Sequence, residues 1–307
     1  MTTTEHGTTP PGLPGSFDHR MAVHGSDEEF LATAVPFLAE GLAAPEEPPP
    51  VAIAAPAKLE LLRAALTGDA ARRVVTIAHT DWYTGSAANA IARAAGHLAA
   101  HAGPRGAVHL LMEPDWSGRA GRSARESAEW IRYEALANLL FAPYATTALC
   151  VYDTRTAGPA VIAAARRAHP GTGAYADPLL VAAELDAVPL PPPPRDAHRL
   201  PAPEPGAVRG WALARGLAAA EAELFATAVA EAAVDPVTDV LLWGEAPSCV
   251  CELRTARRVA DPLAGFVPPP AATAPAPGQG LWFARQVCAY VDVREDAAGA
   301  RVRLQYA

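Results

Sequence analysis

Lysine is all but missing from this chain. Lys58 is the only one in 307 residues, and no block rich in lysine and arginine occurs. With 25 basic residues against 33 acidic ones and a formal net charge of −8, no direct nucleic-acid partner is expected. Cysteine is scarce too. Cys150, Cys249, Cys251 and Cys288 lie within apolar runs and form no metal-type C-x-x-C pair, so a reduced, cytoplasmic protein is the simplest expectation. There is no uninterrupted apolar run of about 18 residues to suggest a membrane span. The opening stretch MTTTEHGTTPPGLPG carries no apolar signal segment. Neither G-x-x-x-x-G-K-S/T nor, after a strand, G-x-G-x-x-G occurs, which removes the usual phosphate cradle. No serine stands in a G-x-S-x-G context. His97 and His101 would share a helix face, but HLAAH lacks the glutamate of H-E-x-x-H. A solvated face is the reading there, and no metal site is expected.

What is present is a globular composition, 50% hydrophobic and 19% charged, long enough for two domains with separate cores. Residues 1–16 read as a disordered tail. SDEEFLATAVPFLAEGL then reads as a helix capped by Ser26, with an apolar stripe of Phe30, Ala34, Phe37 and Leu38 and a kink or break at Pro36. After it, short apolar strands (51–56, 73–79, 107–116, 147–154) alternate with helical stretches (57–68, 86–101, 123–141, 158–170). That order predicts an α/β domain over 17–185, with a mainly parallel sheet covered by helices. The proline-rich segment 186–205 reads as a stiff linker. Residues 206–307 read as α+β with a mainly antiparallel sheet. Their strands are DVLLWGE, SCVCELRT, YVDVRED and ARVRLQY, and a helix starts at Leu281. Cys249 and Cys251 would point to one side of a strand as small core residues.

In a parallel sheet ligands bind beyond the carboxyl ends of the strands. Those ends offer Glu113, Asp115 and Trp116 after the third strand and Tyr152 and Asp153 after the fourth, with Arg132 and Glu134 on the helix between. Acidic, aromatic and guanidinium groups of this kind can frame a small ligand. The plainer alternative is that Asp153 caps the following turn and Trp116 packs the sheet edge.

The segments FDHRMAVHGSDEEFLATAVPFLAEGL, EPDWSG, RYEALANLLFA, CVYDT and ARRAHP occur in that order. Over residues 17–185 they resemble the MEDS sensory domain of regulators in actinobacteria, methanogens and methylotrophs. The resemblance implies a RecA/KaiC-like fold without a P-loop and a role in sensing a small molecule rather than in catalysis.

The segments ADPLAG, GQGLWFARQVCAYVDV and GARVRL resemble the C-terminal half of the anti-sigma-factor serine/threonine kinases, a branch of the GHKL (Bergerat) ATPase fold. The resemblance covers about 206–307 and implies a Bergerat-type α+β sandwich. It also implies a glycine-rich lid for ATP at Gly278, Gly280 and Leu281, a catalytic base at Glu231 and a Mg²⁺ ligand at Asp235, where the family has asparagine. The family's D-x-G is replaced, with Thr255 at the aspartate and Arg257 at the glycine. A lost hydrogen bond to a charged acceptor costs roughly 1.5–3 kcal/mol, and a bulky arginine would tend to fill the adenine space. Vestigial ATP and Mg²⁺ sites are therefore expected, with no cofactor in use. In the plainer reading GQGLW serves packing, with Trp282 and Phe283 in the core. Two functions follow. One is a regulatory protein joining a sensory domain to a module that docks a sigma factor or an anti-sigma antagonist, with homodimerisation implied by the family. The other is an active kinase of such an antagonist.

Overall fold

The computed structural model describes residues 17–44, 47–101, 108–118, 120–234, 236–259, 261–268 and 280–307. The chain divides between Leu185 and Asp186 into two compact units, each built on its own five-stranded sheet. Among the described residues no helix is long and apolar enough to cross a membrane.

The N-terminal unit runs β1 (Phe17–His24), α1 (Asp27–Leu42), β2 (Val51–Ala54), α2 (Pro56–Ala65), α3 (Asp69–Arg73), β3 (Val75–Ala78), α4 (His79–Trp82), α5 (Ala87–His101), β4 (Val108–Met112), α6 (Ala124–Leu140), β5 (Thr146–Asp153), α7 (Pro159–Ala168) and α8 (Pro178–Asp186). The sheet order is β1-β5-β4-β2-β3, and every neighbouring pair is parallel. The expected α/β architecture is thus present, with one strand more than the sequence suggested. β1 pairs along its whole length with β5, Phe17 opposite Thr146 through His24 opposite Asp153.

Alternation decides what each face carries. Ala22, Ala52, Ala54, Leu111, Leu149 and Val151 pack with Phe30, Phe37, Leu38, Leu59 and Leu62 of α1 and α2. The intervening residues point the other way, where His19 reaches Asn138 of α6 and Cys150 reaches Glu134. α1 begins where Ser26 Oγ accepts the Glu29 amide at 3.1 Å, a side-chain N-cap. It continues through Pro36 without a break. Pro36 and Ala32 are both exposed, so the carbonyl that proline leaves without its helical partner sits on the solvent side.

The C-terminal unit runs β6 (His198–Leu200), α9 (Pro205–Ala214), α10 (Ala219–Glu231), β7 (Val237–Glu245), β8 (Ser248–Thr255), α11 (Leu281–Val287), β9 (Tyr290–Asp296) and β10 (Gly299–Gln305). Its sheet, ordered β6-β7-β8-β10-β9, is antiparallel throughout. Ala222, Phe225, Ala226 and Val229, at helical spacing on α10, meet Val240, Leu242, Cys249, Cys251, Leu253, Val302 and Leu304. Cys249 and Cys251 are small core residues, as their spacing suggested, and all four cysteines are free. Glu252 and Arg303, both buried, pair at 2.5 Å. Arg303 also donates to the Pro191 carbonyl at 2.8 Å, and β6 falls inside the proline-rich stretch. That stretch is therefore bonded to this unit's sheet rather than standing off as a bare spacer.

Candidate functional site

The N-terminal sheet reverses its winding between β4 and β2, since β2 leads outward to β3 while β4 leads the other way to β5. Such a reversal opens a crevice beyond the carboxyl ends of the strands. Glu113 sits there, its amide donating to the Ile53 carbonyl at 2.8 Å. Its carboxylate is ion-paired with Lys58 in the first turn of α2. Lys58 Nζ is also 2.9 Å from Asp153 Oδ2 and 3.4 Å from His24 Nε2. All four side chains are buried. The one lysine of the chain thus ties together the tips of β1, β4 and β5.

The titration of these groups follows from that arrangement. Burial pushes His24 down to about 4, the Lys58 charge adds to this, and Asp153 only partly offsets it. Burial alone would raise the Asp153 carboxyl, but hydrogen bonds from Arg155 and Lys58 reverse this and hold it well below the ordinary carboxylate range. Asp153 also caps its turn, accepting the Arg155 amide at 2.9 Å. His24, Glu113 and Asp153 are close enough to share a cation, and the lysine nitrogen already stands among them.

Beside this cluster, just past β3 and β4, lies a cavity of about 300 Å³ lined by His79, Thr80, Tyr83, Asp115, Ala120 and Trp130 among others. Tyr83 and Trp130 meet edge to face at 5.2 Å. Trp130 is anchored by its indole N–H donating to Glu126 Oε1 at 3.2 Å. Asp115 accepts the Gly118 amide at 2.9 Å, which sets the turn at the mouth. His79 Nδ1 is buried with no hydrogen-bond partner among the described residues. The lining combines the aromatic Tyr83 and Trp130 with the polar His79, Thr80, Thr84 and Asp115, a mixture that can orient a small molecule.

Residues 18–170 match the MEDS family model. Its description is MEthanogen/methylotroph, DcmR Sensory domain. No curated protein and no solved structure gives a match. The N-terminal unit therefore carries a MEDS domain.

The residues expected to frame a ligand in this MEDS domain do not converge on one point. Glu113 and Asp153 hold Lys58 on the α1/α2 side of the sheet. Tyr152, next in sequence to Asp153, faces the other side, because neighbouring strand residues alternate. There Trp116 stacks against it at 6.0 Å and is itself buried. Of the expected set Asp115 lines the cavity. Arg132 is buried, donating to the Ala182 carbonyl at 3.4 Å and lying 3.4 Å from Glu129. Glu134 belongs to a third group, with His19, Cys150 and His169. Burial favours the neutral Glu134 acid, but the His19 hydrogen bond and the nearby His169 ring outweigh it and lower its pKa. Burial drives His169 down to about 3 and the Cys150 thiol well above its usual value. Lys58, His24, His79 and Tyr83 were not singled out from sequence for this role. A lone lysine four residues after an apolar strand was the one available signal.

In the C-terminal unit the resemblance-based positions fare differently. Asp235 and Gly278 lie outside the described residues. Glu231 is the exposed last residue of α10. Its backbone carbonyl abuts Gly280, where an added Cβ would come within 1.7 Å of that oxygen. Leu281 and Ala284 of α11 are fully buried. Phe283 packs on the core from its edge and Trp282 is only half-buried, because a helix that turns Leu281 and Ala284 inward turns Trp282 aside. Trp282 is thus not the core residue expected. Thr255 is buried, its hydroxyl accepting the Arg257 amide at 3.1 Å. Arg257 itself is exposed.

Proposed function

We propose that this chain is a regulatory signalling protein in which the MEDS domain, of RecA/KaiC-like descent, binds a small molecule. The second unit, of Bergerat-type ancestry, docks a sigma factor or its antagonist without kinase activity. The observation that carries the sensory half is the partly enclosed cavity at the carboxyl ends of β3 and β4, within the segment that matches a sensory family. His79, the Tyr83 phenol and Asp115, with Thr80 and Thr84, offer hydrogen bonds to one end of a small apolar or carbonyl compound. For the docking half, the support is the retained GQGLW segment on a unit whose D-x-G position holds Thr255 and Arg257. A ligand that favours one arrangement of the full chain would alter partner affinity by the difference in its own affinity for the two states.

The test is a thermal-shift screen of the full chain with short alcohols, aldehydes, ketones and carboxylates. One chemical class is expected to raise the melting temperature in a saturable way. Thr84→Trp, a change at the exposed rim of the cavity, should weaken that ligand about tenfold or more, ~1.4 kcal/mol, with the unliganded melting temperature kept. Equal binding by the rim variant would remove this cavity as the sensory site.

A further inference from the structure

We propose that His19, Glu134, Cys150 and His169 form a buried metal-binding site, suited to Zn²⁺, on the α6 side of the N-terminal sheet. The four come from β1, α6, β5 and the end of α7, and each is essentially inaccessible to solvent. One donor atom from each lies within 4.8 Å of all the others.

Four of the six donor–donor distances have the length of an edge of a zinc coordination tetrahedron. Zinc takes nitrogen or oxygen ligands at about 2.0–2.2 Å and thiolate at about 2.3 Å. A tetrahedron's edge is about 1.6 times its centre-to-corner distance, so those bonds place donors roughly 3.3–3.8 Å apart. His19 Nε2 is 3.4 Å from Cys150 Sγ and 3.4 Å from Glu134 Oε2. Cys150 Sγ is 3.6 Å, and His169 Nε2 3.8 Å, from the same Glu134 oxygen.

The rings are also turned the way ligands must be. His169 Nδ1 lies 2.7 Å from the Ala165 carbonyl, which can only accept, so the proton is on Nδ1 and the Nε2 lone pair points into the cluster. His19 Nδ1 lies 3.1 Å from Asn138 Oδ1. The Asn138 amide is held in that orientation by its Nδ2 donating to the carbonyls of Ala168 at 2.7 Å and Ala135 at 3.1 Å. Outer hydrogen bonds that fix the tautomer are what metal-binding histidines usually have.

Without a cation the cluster is poorly satisfied. His169 Nε2 is buried and has no hydrogen-bond partner among the described residues. A buried imidazole nitrogen without a partner, beside a buried carboxylate, is costly. A divalent ion removes that cost, because its charge is matched by one carboxylate and one thiolate. The second cluster of possible ligands, at His24, differs in having Lys58 Nζ among its members. Two imidazoles, a thiolate and a carboxylate are a ligand set for zinc rather than for Mg²⁺ or Ca²⁺. Four protein donors leave no open position, as in structural zinc sites. On binding, the Cys150 S–H bond breaks, the S–Zn bond forms, and the proton leaves to solvent.

The test uses the full chain. Purified from zinc-supplemented culture and dialysed, it should hold about one equivalent of zinc. After chelation, Co²⁺ should restore the intense visible bands of a tetrahedral ion and a thiolate-to-cobalt band in the near ultraviolet. Cys150→Ser should lose the thiolate band, and His169→Ala should lower the zinc content severalfold. A wild-type protein with less than about a tenth of an equivalent and no thiolate–cobalt band would overturn the proposal. So would a Cys150→Ser protein with an unchanged cobalt spectrum. The wild-type spectrum decides the matter even if the variants do not fold.

Discussion

Lys58→Met is expected to lower the stability of the N-terminal unit by about 3–5 kcal/mol, the usual cost of removing one partner from a buried ion pair. Methionine keeps most of the side chain's length and apolar packing, so the loss is that of the charge. Asp153 would keep Arg155, whose guanidinium lies 2.7 Å away. Among the described residues the Glu113 carboxylate would keep only the Ala55 amide at 3.3 Å and would carry most of the penalty. The double variant Lys58→Met/Glu113→Gln should therefore recover a large part of the loss. Urea unfolding followed by circular dichroism measures both. A Lys58→Met loss below about 1 kcal/mol, the range of exposed pairs, would mean that water reaches this cluster and that it does not lock the strand tips.

Gly280→Ala is expected to destabilise the C-terminal unit by about 3 kcal/mol, the upper part of the range for forcing atoms into a filled interior. Gly280 has an ordinary helical φ of −64°, so backbone strain is not the reason. The added methyl would lie 1.7 Å from the Glu231 carbonyl oxygen and 2.5 Å from its carbon. These are backbone atoms of a packed helix and cannot swing aside. The result separates two reasons for a glycine at this position. If close packing of α11 on α10 requires it, alanine lowers the unfolding midpoint in the absence of any nucleotide. If only the approach of a phosphate requires it, the unliganded protein keeps its midpoint.

Much of the architecture was readable from the order of the residues. The strands at 51–54, 75–78, 108–112 and 146–153 announce themselves as apolar runs between helical stripes, and Ser26 and Ser123 mark helix starts. β1 was not readable. FDHRMAVH carries four charged or imidazole side chains in eight residues, and its strand character comes from pairing with β5, more than a hundred residues away. Both polar clusters depend on that strand, through His19 and His24, so both were out of reach without it. Glu113 and Asp153 were singled out for their place at the strand ends. Their partner, Lys58, was visible only as an oddity of composition. Glu134 was placed with them because it lies on a nearby helix. Its actual neighbours, His19, Cys150 and His169, are spread over 151 positions with no motif spacing. In the second unit the reading erred at Trp282, where the phase of a helix, not residue type, decides burial.

That the second unit docks a partner rather than transferring phosphate is the claim most open to direct attack. Calorimetric titration of the full chain with Mg-ATP addresses it. Thr255 stands where the resembled family has an adenine-binding aspartate and brings no negative charge there, and a missing charged hydrogen bond of this kind is worth roughly 1.5–3 kcal/mol, or about ten- to hundredfold in affinity. The account predicts no heat of binding up to millimolar Mg-ATP, whereas a saturable isotherm with micromolar affinity would contradict it.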